Sequence, residues 1–185
     1  MHETVDDIDT LQALLDRSYA AAGSHLRSIT TPERRVDAQE LAERLTGVRL
    51  LALATVTRGG RPVVGPVDGI FFRGSFHFGS APHSLRATHL RARPYVSATH
   101  APGEEFAVTV HGLAVPVDVR AAEGGGLRGA LIEVYVPRYG PQWEEFLDGG
   151  VGGPTPARPP LYWRIEAEKI FSFKLDAPLD SDRAR

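Results

Sequence analysis

From Val48 onward, turn residues cut the chain into short β-type runs with a single helical stretch among them, and this alternation restricts the fold more than any other feature. Residues 48–57 are rich in Val, Leu, Ala and Thr and end in Arg58-Gly59-Gly60-Arg61, a hairpin-type turn. The return run, 62–72, carries Gly65-Pro66 at its centre. A proline has no N–H for the ladder, so this point is expected at an edge or a bulge. Arg73-Gly74 makes a second turn, and 75–79 a third strand. Ser80-Ala81-Pro82 is read as the opening of a helix that runs to about Arg93, where Pro94 stops it. Strands follow over 95–100 and 106–119, the latter with Gly112 as a candidate bulge. Helices are expected over 127–136 and 142–147, and two closing strands over 161–165 and 170–175, on either side of Glu166-Ala167-Glu168. The pattern predicts a mainly β fold with flanking helices, built as one antiparallel, Greek-key-like barrel.

The residues before Val48 read as a helical extension, 1–47. In 8–22, Ile8, Leu11, Leu14, Leu15 and Tyr19 recur at three- and four-residue spacing and make one apolar stripe. A second helix is expected over 32–45, with Thr31 as N-cap and Pro32 in its first turn. Its apolar face, Val36, Leu41 and Leu45, is thin and suits a surface or a partner rather than a core. The barrel domain is expected over 48–176, with 177–185 as a tail. The glycine- and proline-rich run 149–160 is either a lid over a site or an ordinary surface loop.

Composition excludes several kinds of chemistry. There is no cysteine, which removes disulfides, thiolate metal sites and cysteine nucleophiles. A formal net charge of −2 gives no broad basic field, so neither nucleic acid nor an anionic membrane is an expected partner. The acidic N-terminus lacks the apolar run of a signal peptide, and no apolar stretch is long enough to span a bilayer; a cytoplasmic location is expected. The histidines, among them His77, His83, His89, His100 and His111, lack the spacing and acidic neighbours of a metal site, and no metal is expected.

The most informative stretch is 76–97. It delivers two hydroxyls, Ser80 and Ser84, to the start of a helix that carries Arg86. Free backbone N–H groups and the positive end of the helix dipole attract an anion there, and hydroxyls with one guanidinium suit a phosphate. The plainer reading makes Ser80 an N-cap and Arg86 part of a solvated face. Asp68 stands either as a strand-end turn residue or as a polar anchor, and Tyr139 and Trp143 either lid a pocket or pack in a core.

The order of these pieces resembles the phosphate-binding strand and helix of pyridoxamine-phosphate-oxidase-like flavoproteins. In that family a Ser or Thr ending a strand is followed by a Ser, a Lys or Arg two residues on, an Asn- or His-Leu pair, and an X-Pro opening the next strand. Ser80, Ser84, Arg86, His89-Leu90 and Arg93-Pro94 hold those places here. The strand pair across 54–67 and the closing runs 162–165 and 169–173 also match, with Phe173 where the family usually has Trp. The resemblance implies an FMN-binding split β-barrel that works as a homodimer with the cofactor between subunits. It places the phosphate on Ser80, Ser84 and Arg86, counts His89 among the cofactor-binding residues, and sets the ring against Val64, Gly65, Pro66 and Val67. The implied activity is hydride transfer between the flavin and a small organic substrate, with no catalytic side chain assigned. A deazaflavin coenzyme (F-420) is the alternative within the same fold, suggested by an Ala-, Arg- and Gly-rich composition. A non-catalytic flavin- or haem-binding protein is the third reading.

Overall fold

β1 (Val48–Val56) and β2 (Pro62–Phe72) run antiparallel along their whole length, from Val48 opposite Ile70 to Val56 opposite Pro62. They begin a closed barrel in the order β1-β2-β3-β6-β5-β4, with β3 Ser75–Ser80, β4 Tyr95–His100, β5 Phe106–Val117 and β6 Leu161–Lys174. This computed structural model describes residues 2–121, 126–149 and 159–175. The expected antiparallel barrel with flanking helices is therefore observed. It is split in the sense that matters for a ligand. β2 pairs with β3 only from Gly69 opposite Phe78 to Phe72 opposite Ser75, while β3 continues through Gly79 and Ser80 alongside β6. Residues 62–68 of β2 are thus bonded to β1 on one side and, among the described residues, to no strand on the other.

Alternation sorts each strand into an inner and an outer face. Leu51, Leu53, Val67, Phe71, Phe76, Phe78, Val96, Ala98, Val108, Val110 and Ile165 fill the barrel. α1 (Val5–Ala20) closes it, sending Leu11, Leu15 and Tyr19 into the same core. Its start is fixed by a capping box: the Asp7 N–H donates to Thr4 Oγ1, while the Thr4 N–H donates to the Asp7 carboxylate at 2.8 Å. A second cluster lies outside the barrel, where α5 (Leu127–Tyr139) and α6 (Gln142–Leu147) cover Ile70, Phe72 and Tyr162.

The structure corrects the sequence reading at several points. The expected helix over 32–45 is instead a single 3-10 turn at Pro32–Arg34 and α3 (Ala38–Arg44) capped by Asp37, and a short helix that was not expected, α2 (Ser24–Ile29), precedes them. The expected surface face is buried: Val36, Leu41 and Leu45 belong to the barrel core. Extended backbone at Arg35 and Asp37 lets Val36 exchange two bonds with the buried Ser172 hydroxyl, which an unbroken helix would forbid. The two closing strands are one strand, β6. Its charges at Glu166 and Glu168 are exposed, and the register beside them slips by one, with His111 opposite Lys169 and Gly112 opposite Ala167, leaving Glu168 unpaired. Gly112 is required there, because a Cβ would lie 2.1 Å from the Glu166 carbonyl oxygen. The helix expected from Ser80 begins later: α4 is Leu85–Ala92, and Ser84, not Ser80, is its N-cap. Most of the 149–160 run and the tail lie outside the described residues. Among the described residues no helix is long and apolar enough to cross a membrane, and no group of three metal-ligating side chains occurs.

Candidate functional site

The opening between β2 and β3 gathers most of the residues singled out from the sequence. On one wall is the unpaired edge of β2. Pro66 tolerates its position because a strand residue sends its N–H and C=O to the same side, and the Pro66 carbonyl faces the opening. Val64 and Pro66 are exposed, Gly65 is half-buried, and the Val67 side chain points into the barrel core, so Val67 offers the opening only backbone.

On the other wall, β3 ends at Ser80 and a short turn leads to α4. Ser84 Oγ accepts the Ala87 N–H at 3.0 Å as the helix cap, and Ser80 Oγ lies 2.8 Å from Ser84 Oγ. Two hydroxyl protons serve this pair and one suffices for the bond between them, so one remains to be donated outward. The turn is held by Arg91, whose Nη1 donates to the Pro82 carbonyl at 2.9 Å.

Arg86 joins the two walls. Its Nη2 donates to the Pro66 carbonyl at 2.8 Å, and a Cβ on Gly65 would stand 3.4 Å from the same nitrogen. Glycine at 65 therefore leaves room for the guanidinium to cross. Burial lowers the pKa of Arg86, and among the described residues it has no carboxylate partner. Hydroxyls, a partly desolvated guanidinium and a helix N-terminus form a donor set for a dianion such as a phosphate monoester. His89 sits on the same helix, and its Nδ1 lies 3.0 Å from Thr55 Oγ1, which ties α4 to β1.

Where β2 and β3 part, Tyr139 and Tyr135 lie close to Asp68, with further aromatic residues packed beside them. Gly79 lies under Tyr162, whose ring carbons would stand 3.1 Å from a Cβ there. Tyr139 Oη donates to Asp68 Oδ2 at 3.3 Å. Asp68 is within β2 rather than in a turn at its end. Tyr135 stacks on Trp143 with centroids 4.4 Å apart and planes at 2°, and Tyr139 stacks on Tyr135 at 5.9 Å and 17°. Burial, with Asp68 close by, raises the pKa of Tyr135, and burial also raises that of Tyr162, so both phenols stay neutral. Sequence reasoning missed Tyr135 and Tyr162. The four-residue spacing of 135, 139 and 143 was the available signal for the stack. A separate cavity of about 490 Å³ lies among His2, Glu3, Thr46, Glu133 and Arg138, and none of the candidate residues lines it.

No protein-family model matches the chain, and no curated protein matches it. Solved structures do. The conserved hypothetical protein Rv2991 of Mycobacterium tuberculosis aligns with a TM-score of 0.61 at 21% identity, over 77% of this chain and 88% of that one. HutZ, the haem storage protein of Vibrio cholerae, aligns at 0.55 and 19%, over 74% and 91%. An FAD-binding protein of Mesorhizobium loti aligns at 0.52 and 20%, over 75% and 93%. At these identities the likeness is one of fold, and the chain shares the barrel of proteins described as binding FAD and haem.

Proposed function

We propose that the protein binds a phosphorylated flavin-type cofactor in the opening between β2 and β3, as a homodimer, and serves as a flavin-dependent oxidoreductase acting on a small organic substrate. The observation that carries this reading is the Arg86 bridge. One guanidinium sits between a pair of serine hydroxyls at a helix N-terminus and an unpaired strand edge, so a single side chain links an anion site to a surface a flat ring can lie against. Ser80, Ser84, Arg86 and the first N–H groups of α4 would hold the phosphate. The edge at Val64, Gly65 and Pro66 would meet the ring through backbone, with little side-chain bulk in the way. A bound flavin would supply the capacity to accept and release a hydride. The chain's own residues hold the anion, orient the strand edge, and keep neutral phenols at the fork where the strands part. The FAD-binding description of the Mesorhizobium loti protein supports a flavin on this barrel.

The dimer reading rests on an uncovered face beside the opening. Leu50 (59% exposed), Val64 (65%) and Tyr95 (63%) project outward from neighbouring strands, around the small residues Ala52, Ala54, Ser97 and Thr99. The hydroxyls on this face are already matched, Thr99 with Thr109 at 2.9 Å and Ser97 with His111 at 2.8 Å. Covering such a face costs little desolvation and removes apolar surface from water.

Reconstituting the purified chain with FMN, with the deazaflavin coenzyme and with haem tests the reading. Saturable binding of FMN with its visible spectrum shifted supports it. Tight binding of the deazaflavin alone would replace FMN within the same site. A Soret band with no flavin uptake would overturn it.

A further inference from the structure

The fork between β2 and β3 carries an acidic, aromatic corner that cofactor binding does not use. Asp68 is the last residue of β2 before pairing with β3 begins at Gly69. Its carboxylate accepts the Tyr139 hydroxyl, and among the described residues it takes part in no ion pair. A half-buried carboxylate bound by one neutral donor has lone pairs left to share.

The neighbouring rings form a pile beside this carboxylate. Gly140 ends α5 at φ +89°, a conformation that suits glycine, and Pro141 caps α6, so the chain turns and sets Trp143 flat against Tyr135. Tyr139 continues the pile outward and is 42% exposed. The guanidinium of Arg138 lies 5.5 Å from its centroid, so a cation already occupies the vicinity of this ring. Aromatic faces attract positive charge, and a carboxylate beside them adds to the same preference.

We infer that Asp68 with the Tyr139–Tyr135–Trp143 stack forms a subsite for a flat, positively charged ring, and that the substrate is an aromatic cation or an aryl amine in its protonated form. This rests on the proposed flavin reading only for the ligand's role as substrate; the binding itself stands on the corner's own residues.

The test uses the full chain without added cofactor and N-methylpyridinium as probe, with pyridine at pH 8 as its neutral counterpart. Trp143 is at the corner, whereas Trp163, the only other tryptophan, is buried in the barrel core, so quenching of fluorescence reports on the subsite. N-methylpyridinium is expected to quench saturably and to bind about tenfold more tightly than pyridine. Asp68→Asn keeps an acceptor for Tyr139 and is expected to remove that preference, and Arg138→Gln to strengthen binding by freeing the ring. Linear quenching without saturation, or equal affinities for the two probes, overturns the inference; so does an Asp68→Asn protein that melts normally and still prefers the cation. FMN titrated against the same proteins keeps the two ideas apart. FMN binding without cation preference sinks only the subsite, and cation preference without FMN binding sinks only the cofactor reading.

Discussion

The Arg86 guanidinium and the Pro66 carbonyl meet at 2.8 Å across a gap where no strand pairing connects β2 to β3. Two elements that the barrel leaves apart are thereby linked by one side chain. Arg86→Ala is expected to weaken FMN binding by about 2 kcal/mol, the scale of a charge-assisted contact to phosphate. Arg86→Lys keeps the charge but not the two-pronged reach, so it is expected to fall between the two and to alter the bound flavin's spectrum. Fluorescence titration of the three proteins measures this, and equal affinities would remove Arg86 from the site.

Leu50 tests the dimer. Light scattering of the parent is expected to give twice the 20.1 kDa chain mass at micromolar concentration. Leu50→Glu puts a carboxylate in the middle of the uncovered face and is expected to yield monomers with the far-UV spectrum unchanged. A parent that scatters as a monomer refutes the arrangement.

The barrel's seam depends on one hydroxyl network. Tyr19 Oη donates to the Ser172 carbonyl at 2.7 Å and accepts the Ser172 N–H at 2.9 Å, while Ser172 Oγ exchanges bonds with both backbone groups of Val36. Tyr19→Phe leaves buried backbone groups of Ser172 unsatisfied and is expected to cost about 1–3 kcal/mol in urea unfolding. A midpoint within error of the parent would show that water or a rearrangement replaces the bond.

His77 makes stability fall in acid. Burial lowers its pKa from 6.5 to about 4 in the folded protein, with its Nδ1 3.1 Å from the Ser75 carbonyl. Between those values the unfolded chain takes up a proton that the folded chain refuses, so stability present above pH 6.5 is lost as the pH drops toward 4. The loss is of the order of 3 kcal/mol at about 1.4 kcal/mol per pH unit. His77→Gln, which has no such proton to take up, is expected to flatten the melting-temperature profile in that window, and an unchanged slope would assign the acid sensitivity elsewhere.

Much of the fold was legible because hairpin signals are local. The Arg58-Gly59-Gly60 turn, the Pro66 edge and the Gly112 bulge each declare themselves in a few residues, and each stands where the sequence placed it. Two features were not local. Residues 32–45 have the caps of a helix, but Val36 is claimed by Ser172, more than a hundred positions away, and that tertiary bond breaks the helix. Glu166-Ala167-Glu168 looks like a turn by charge, yet in β6 those charges face solvent and the slip opposite Gly112 absorbs the extra residue. In the candidate site the serines and Arg86 were readable as a spaced motif. Their bridge to Pro66 was not, because spacing within a helix says nothing of the strand facing it. His89 fits the motif equally well, and the bond of its Nδ1 to Thr55 was not readable either.

The pairing of α1 with β6 has a consequence for how the protein is made. The first helix packs on the last strand, with Ser18 accepting the Ile170 N–H and Tyr19 bound to Ser172 across 153 positions. During synthesis α1 emerges before β6, with its apolar stripe exposed and its seat not yet translated. β6 must also supply the partner that both β3 and β5 lack until then. The barrel therefore cannot close stepwise behind the ribosome, because its ring of strands is complete only when β6, ending at residue 174, is available.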